Sequence, residues 1–319
     1  MILAGDIGGT HTRLAYFENG RNLVERKYPS RDWAGLEQIV QEFLQTEKRK
    51  VSKACFGVAG AIRNGKCKAT NLPWIIDSAA LSQALHIPVR LLNDLEANAY
   101  GVKVLKKGEL HLLQVGDPKA IGNQALISAG TGLGEAGIYW DGQRHHPFAC
   151  EGGHTDFSPR NEEEIALFLY LRKKFDHVSF ERVVSGPGLH SIYQFLVETG
   201  RYPLSPEIKR EMEQKDPSRV VSEWGGSGKD PACREALDRF VAAYGAEAGN
   251  VALKFYSLGG LYIGGGIAPH ILERLQNGPF LSSFHDKGRF KGLLESIPIW
   301  VIMNDDTALL GAAAYAETP

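Results

Sequence analysis

The chain has 319 residues, more than one hydrophobic core comfortably organises, so two domains are expected. Its 36 Lys and Arg nearly cancel 37 Asp and Glu, leaving a net charge of -1 and no long basic run, which argues against nucleic acid as a primary partner. No apolar run is long enough to span a bilayer, so no membrane partner is expected. The first strand opens at once with Ile2-Leu3-Ala4, and the scattered Cys55, Cys67, Cys150 and Cys233 form no C-x-x-C. The expectation is a cytoplasmic protein with reduced thiols, without a signal peptide, a helix-turn-helix, a disulfide framework or a zinc ribbon.

Ile2 to Ala4, Thr12 to Phe17 and Leu23 to Tyr28 are predicted to form a three-stranded meander, with Glu18-Asn19-Gly20 as a hairpin turn. Leu36, Ile39, Val40, Phe43 and Leu44 lie on one face of a helix over Leu36 to Thr46. Strand Ala54 to Ala59, a Gly- and Lys-rich turn, helix Ser78 to Leu85, strand Val89 to Leu92 and helix Leu95 to Leu105 follow. That order is similar to the ribonuclease-H-like fold. A second round starts at Gln124, with strand Ala125 to Ser128, a glycine turn, strand Glu135 to Trp140 and the turn Asp141-Gly142. Helices are predicted over Glu162 to Phe175, Gly188 to Glu198 and Cys233 to Tyr256, with Pro203 to Gly228 as a surface excursion carrying a helix of its own. Strand Leu261 to Ile263 runs into Gly264-Gly265-Gly266, and strand Ile299 to Met303 leads to a closing helix, Thr307 to Glu317.

Two strand–glycine turn–strand segments carry the most chemistry. Asp6-Ile7-Gly8-Gly9-Thr10 and, about 120 positions later, Ala129-Gly130-Thr131-Gly132-Leu133-Gly134 each place a threonine hydroxyl beside unshielded amides. Facing each other, two such turns grip a polyphosphate from both sides, and Asp6 is placed to hold a metal ion through water. No G-x-x-x-x-G-K-[ST] is present, so this is not a P-loop. Gly132 to Gly137 also fits G-x-G-x-x-G, but a strand follows it and not a phosphate-binding helix, so a dinucleotide fold is rejected. Asn93 and Asp94 lie between an apolar strand and a helix, where either can be an N-cap and where a general base is also well placed. Glu151 and His154 have a spacing that suits a metal pair, but carboxylate and imidazole are also directional partners for sugar hydroxyls, the reading preferred here. Glu181 is either a third such partner or a solvated helix-end charge. Gly264-Gly265-Gly266 is either a plain turn or a platform on which a base and ribose lie flat.

Five ordered segments resemble the hexokinase–actin ATPase superfamily. They are Gly5 to Thr10, Leu92 to Asn98, Ser128 to Gly134, Tyr262 to Ile267 and Leu309 to Ala314, similar to its phosphate-1, connect-1, phosphate-2, adenosine and connect-2 motifs. Glu151-Gly152-Gly153-His154-Thr155-Asp156-Phe157 and Glu181 to Gly188 narrow the resemblance to the bacterial ATP-dependent glucokinases, over nearly the whole chain. The related family of repressors and open-reading-frame kinases binds zinc through clustered cysteines after an equivalent histidine. Here only Cys150 is near, and before it, so no structural zinc is expected.

The resemblance implies an α/β protein of two ribonuclease-H-like lobes with an active-site cleft between them: residues 1–105 plus 306–319 as the small lobe and 106–305 as the large one. It implies transfer of the γ-phosphoryl group of MgATP to the 6-hydroxyl of glucose, with Asp94 as catalytic base and Asn93, Glu151, His154 and Glu181 binding the sugar. Asp6, Gly8, Gly9, Thr10, Gly130, Thr131, Gly132, Gly264, Gly265 and Gly266 would bind nucleotide and Mg2+. Small residues at Ala97, Ala99, Gly101, Ala308, Gly311, Ala312 and Ala313 would let two helices cross closely as a hinge. A homodimer is implied as well. The alternatives are a kinase of mannose or fructose, an actin-like ATPase, or a sugar sensor.

Overall fold

Leu3 and Ile7 alternate with Ile2 and Ala4 along the first strand, and both sets are buried, as in a central strand covered on two faces. In the computed structural model, which describes residues 1–318, this strand is β1 (Ile2–Ile7). It is followed by β2 (His11–Glu18) and β3 (Arg21–Pro29), each antiparallel to the one before. Asn19 and Gly20 join them with φ of 50° and 70°, the left-handed pair that a two-residue hairpin requires. α1 (Leu36–Glu47) buries Leu36, Ile39, Val40 and Phe43 and returns the chain to β4 (Lys53–Val58), parallel to β1.

Where a turn alone was expected, β5 (Ile62–Arg63), β6 (Lys66–Lys68) and β7 (Ile75–Asp77) form a small antiparallel sheet. α2 (Ser78–Leu85) is capped by Asp77, whose carboxylate accepts from the Ala79 and Ala80 N–H groups. β8 (Val89–Asn93) and α3 (Asp94–Val102) complete the round. The main sheet runs β3-β2-β1-β4-β8. Leu3, Tyr16, Phe43, Phe56 and Trp74 belong to the core on one face. Ala97 from α3 and Leu309, Ala312 and Ala313 from the C-terminal helix, Thr307–Glu317, belong to the core on the other. A Cβ at Gly311 would overlap the Ala97 carbonyl, and one at Gly101 the Thr307 carbonyl, so these two helices cross backbone on backbone. Residues Met1–Glu109, Pro147–Ala149 and the chain from Asn304 onward make one compact unit.

Leu110–His146 and Cys150–Met303 make the other. It opens with β9 (Leu110–Gln114), β10 (Gln124–Ala129) and β11 (Leu133–Trp140); β12 (His145–Ala149) starts in it, and its last three residues belong to the first unit. Then come α4 (Glu162–Arg172), α5 (Gly186–Glu198), α6 (Pro206–Met212), α7 (Pro217–Ser227), α8 (Pro231–Lys254) and β13 (Gly260–Gly264). The short helices α9 (Leu272–Asn277), α10 (Phe280–His285) and α11 (Lys291–Glu295) precede β14 (Ile299–Ile302). β10 pairs antiparallel with β11 and parallel with β13, as β1 does with β2 and β4, so the architecture repeats from Gln124. β14 lies parallel to β13, and β9, not predicted, adds an antiparallel strand beyond it.

The excursion over Pro203 to Gly228 holds two helices rather than one. Ser205 and Asp216 each cap a helix whose first residue is proline. The long α8 begins at Pro231, ahead of the expected Cys233, because Asp230 accepts from the Cys233 N–H at 2.8 Å. No helix among the described residues is long and apolar enough to cross a membrane.

Candidate active site

In the first unit, the Gly8-Gly9-Thr10 turn joins β1 to β2 just beyond the Ile7–Thr12 pair. The Gly8 N–H donates to the His11 carbonyl at 3.0 Å, and the Ser30 hydroxyl donates to the Gly8 carbonyl at 2.8 Å. Thr10 is exposed. Asp6, next to this turn, faces Arg13: Nη2 lies 3.3 Å from Asp6 Oδ2, while Nη1 reaches Asp306 Oδ1 at 2.6 Å and Nη2 the Asp305 carbonyl at 2.7 Å. Burial pushes the Asp6 carboxyl pKa up, and the Arg13 guanidinium opposes that shift. With 28% of its side chain exposed, Asp6 can still meet a hydrated ion. Among the described residues no three His, Cys, Asp or Glu side chains converge on one point. Asp6 offers a single carboxylate of the kind that a hydrated magnesium ion takes.

Asn93 ends β8 and caps α3. Its Oδ1 accepts from the Leu95 N–H at 2.9 Å and the Glu96 N–H at 3.3 Å, and its Nδ2 donates to the Gly60 carbonyl at 3.2 Å. These bonds leave the amide one N–H for a hydroxyl. The capping role open to both residues thus falls to Asn93. Asp94 is the first residue of α3, half-buried, with Oδ1 accepting from the Leu95 N–H at 3.0 Å. A carboxylate at that position is favoured by the helix dipole.

In the second unit, Gly130-Thr131-Gly132 joins β10 to β11. The Gly130 N–H donates to the Gly132 carbonyl, and the Gly130 carbonyl accepts from the Gly186 N–H, both at 2.8 Å. Glu181 Oε2 accepts from the Leu133 N–H at 3.0 Å, and a Cβ at Gly132 would stand 2.5 Å from that oxygen. Glu181 is therefore no solvated helix-end charge: it buttresses the glycine turn. Glu151 precedes and His154 closes a single 3-10 turn over Gly152–His154, with both side chains exposed. A Cβ at Gly153 would overlap the Leu133 carbonyl, so this turn rests on the same residue whose N–H Glu181 holds. Glu181, the turn that carries Glu151 and His154, and the second glycine turn thus all meet at Leu133.

Gly264 ends β13, and Gly265 has a φ of 85° and no room for a Cβ against the Ala129 carbonyl, which brings the Gly264-Gly265-Gly266 stretch against the end of β10. Gly266 lines a cavity of about 310 Å³ with Leu189, Ser218, Ile267 and His270, an apolar-edged space suited to a base. A larger open groove of about 1160 Å³, lined by Arg160, Glu164, Asp238 and Lys291 among others, holds none of the predicted residues.

Sequence reasoning missed Arg13, which binds Asp6 and Asp306 across 7 and 293 positions and has no local signal. It also missed Tyr244, fully buried on α8, whose hydroxyl accepts from the Ala129 N–H at 3.3 Å and lies 3.2 Å from the Gly264 carbonyl. That hydroxyl ties the backbone leading into the second glycine turn to the backbone leading into the triple glycine.

The model of the glucokinase family matches residues 3–319. A glucokinase of Nostoc punctiforme is 43% identical, with 99% of this chain and 98% of the relative covered; one of Synechocystis is 40% identical, with 99% and 97% covered. The crystal structure of a glucokinase from an Antarctic psychrotroph superposes with a TM-score of 0.84 at 30% identity, covering 99% of this chain and 98% of that one. These matches span both units and both glycine turns, and on them the chain belongs to the glucokinase family.

Proposed function

We propose that the protein transfers the γ-phosphoryl group of ATP to the 6-hydroxyl of D-glucose, giving glucose 6-phosphate and ADP. The observation that carries this reading is the convergence on Leu133, where groups suited to a polyol adjoin a turn suited to a phosphate. The reaction requires that the residues around Asp94 and those around Glu151 act on the same sugar.

Asp94 accepts the proton of the 6-hydroxyl as its oxygen attacks phosphorus, and Asn93, with one N–H to spare, orients the sugar beside it. Glu151 and His154 bond ring hydroxyls, and Glu181 offers its second oxygen to another while holding the turn. The amides of Gly9, Thr10, Thr131 and Gly132 and the two threonine hydroxyls face the phosphates, while the Gly8 and Gly130 N–H groups hold the two turns in shape, so positioning and electrostatics supply most of the rate. Asp6, kept in place by Arg13, would hold magnesium through water. Magnesium, when bound, neutralises phosphate charge. The base and ribose lie against Gly264, Gly265 and Gly266, beside the cavity lined by Ser218 and His270.

The repeated hairpin-plus-parallel-strand pattern supports placement in the hexokinase–actin ATPase superfamily. The family resemblance supports a cytoplasmic homodimer acting at the entry of glucose into glycolysis. A coupled assay with ATP and magnesium across glucose, mannose and fructose tests the reading: glucose is expected to have the highest kcat/KM, and a preference for another hexose would overturn it.

A further inference from the structure

Glu135 and Glu247 are buried acids in the second unit that the reaction as described does not use. Glu135, on β11, is 1% exposed, and Glu247, on α8, is 0% exposed. Glu247 is well supplied with donors: Asn250 Nδ2 donates to its Oε2 at 2.7 Å and Lys254 Nζ lies 3.3 Å from its Oε1. Glu135 has no such supply, and its buried Oε1 meets no donor at all when both carboxyls are ionised. One proton between the two removes the conflict, because a neutral carboxyl on Glu135 can donate to Glu247.

The other Glu135 oxygen occupies the space that a side chain at residue 152 would need: a Cβ on Gly152 would overlap Oε2. Gly152 follows Glu151 and opens the turn that ends at His154. The Glu135 carbonyl also accepts from the Cys150 Sγ–H at 3.4 Å. The carboxyl of Glu135 is thus packed beneath the segment assigned to sugar hydroxyls. We infer that Glu135 and Glu247 share one proton, carried by Glu135, and that this neutral pair is the positioning element for the turn bearing Glu151 and His154.

The inference rests on the glucose-kinase reading. Glu247, Lys254 and the Tyr244 hydroxyl on α8, and Cys150 and Glu151 on the loop, are the titratable groups around Glu135; Lys287 acts on Glu247 from beyond α10. Burial, and then the neighbouring Glu247 charge, push the Glu135 carboxyl pKa up to about 8. Loss of the proton leaves two adjacent buried carboxylates, and their repulsion drives Glu135 against Gly152.

The test is the pH dependence of glucose KM. From about pH 7 to about pH 9 the wild-type KM for glucose is expected to rise about fivefold or more, with kcat and the KM for ATP changing less than about twofold. Glu135→Gln, neutral at every pH and still a donor, should abolish the rise. Glu135→Leu, with no donor, should raise KM throughout. A flat wild-type profile, a rise that persists in Glu135→Gln, or equal changes in kcat and KM would overturn the inference. The infrared band of a neutral carboxylic acid, present in the resting protein at pH 7 and lost in Glu135→Gln, checks the shared proton without turnover. Its absence from the wild type would overturn that part even if Glu135→Leu does not fold. Failure of the glucose-kinase reading is recognised separately, by wild-type protein that does not phosphorylate glucose.

Discussion

Asn93 Oδ1 accepts from the N–H groups of Leu95 and Glu96, so Asn93→Ala is expected to cost about 0.5–2 kcal/mol of stability through the lost cap alone. Asp94→Asn keeps shape and leaves that cap in place, but it cannot take a proton. The expected result is a fall in kcat of about 10² to 10⁴ with melting temperature and glucose affinity nearly intact. Near-normal turnover by folded Asp94→Asn would exclude it as the base. Glu151 is exposed on its turn, so Glu151→Gln should leave folding alone while weakening glucose binding by about 1.5–3 kcal/mol, with ATP binding unchanged. Titration calorimetry with each ligand separates these, and equal losses for both would make Glu151 structural. The exposed residues proposed for the site could be singled out in the sequence because their types announce their chemistry. Arg13, Tyr244 and Glu135 were not, since a salt bridge, a strand clamp and a shared proton are defined by partners remote in sequence.

Elements were legible where a local signal set their ends. α2 and the C-terminal helix span the predicted residues, the first because Asp77 caps it. The signals Ser205-Pro206, Asp216-Pro217 and Asp230-Pro231 mark three helix starts, and giving them more weight separates α6 from α7 and moves the start of α8. The strands β5, β6 and β7 span only two or three residues, too few for alternation to register, and β9 gains its partner only from β14 far along the chain. The small residues of α3 and the C-terminal helix were read correctly as a close crossing. Gly311→Ala must push its new Cβ away from the Ala97 carbonyl, at an expected cost of about 1–3 kcal/mol. Because α3 carries Asp94 at its start, kcat should fall as well. Gly292→Ala, in α11 with nothing near the added methyl, is the control and should be neutral or stabilising by up to about 1 kcal/mol. Equal urea midpoints for the two variants would show that the crossing is looser than its geometry.

For the molecule as a whole, a net charge of -1 says nothing about how stability responds to pH; the placement of individual carboxyls does. Those shifted down lie at the surface: Asp77 beside Lys66, Asp141 accepting from the Arg144 N–H, Glu198 accepting from the Tyr170 hydroxyl, Glu211 beside Lys215, and Asp216 accepting from the Ser218 hydroxyl. Solvent screening leaves such groups little weight. Those shifted up by burial are Glu135, Glu247, Asp6 and Glu96. A carboxyl whose folded pKa is raised binds its proton more tightly in the native state. Its contribution is complete below the unfolded pKa and is lost as pH rises through the folded one. For Glu135 that loss spans the ordinary carboxyl range up to about 8. The ligand-free protein should therefore melt about 2–5 °C lower at pH 8 than at pH 5.5 at constant ionic strength. Glu135→Gln, with no proton to lose there, should show a smaller slope. Scanning calorimetry of both proteins decides the matter: a melting temperature that rises over this range in the wild type would mean that His190 and His285, whose pKa values burial lowers and which therefore favour the native state as pH rises, outweigh the buried carboxyls, and parallel slopes would remove Glu135 as the source.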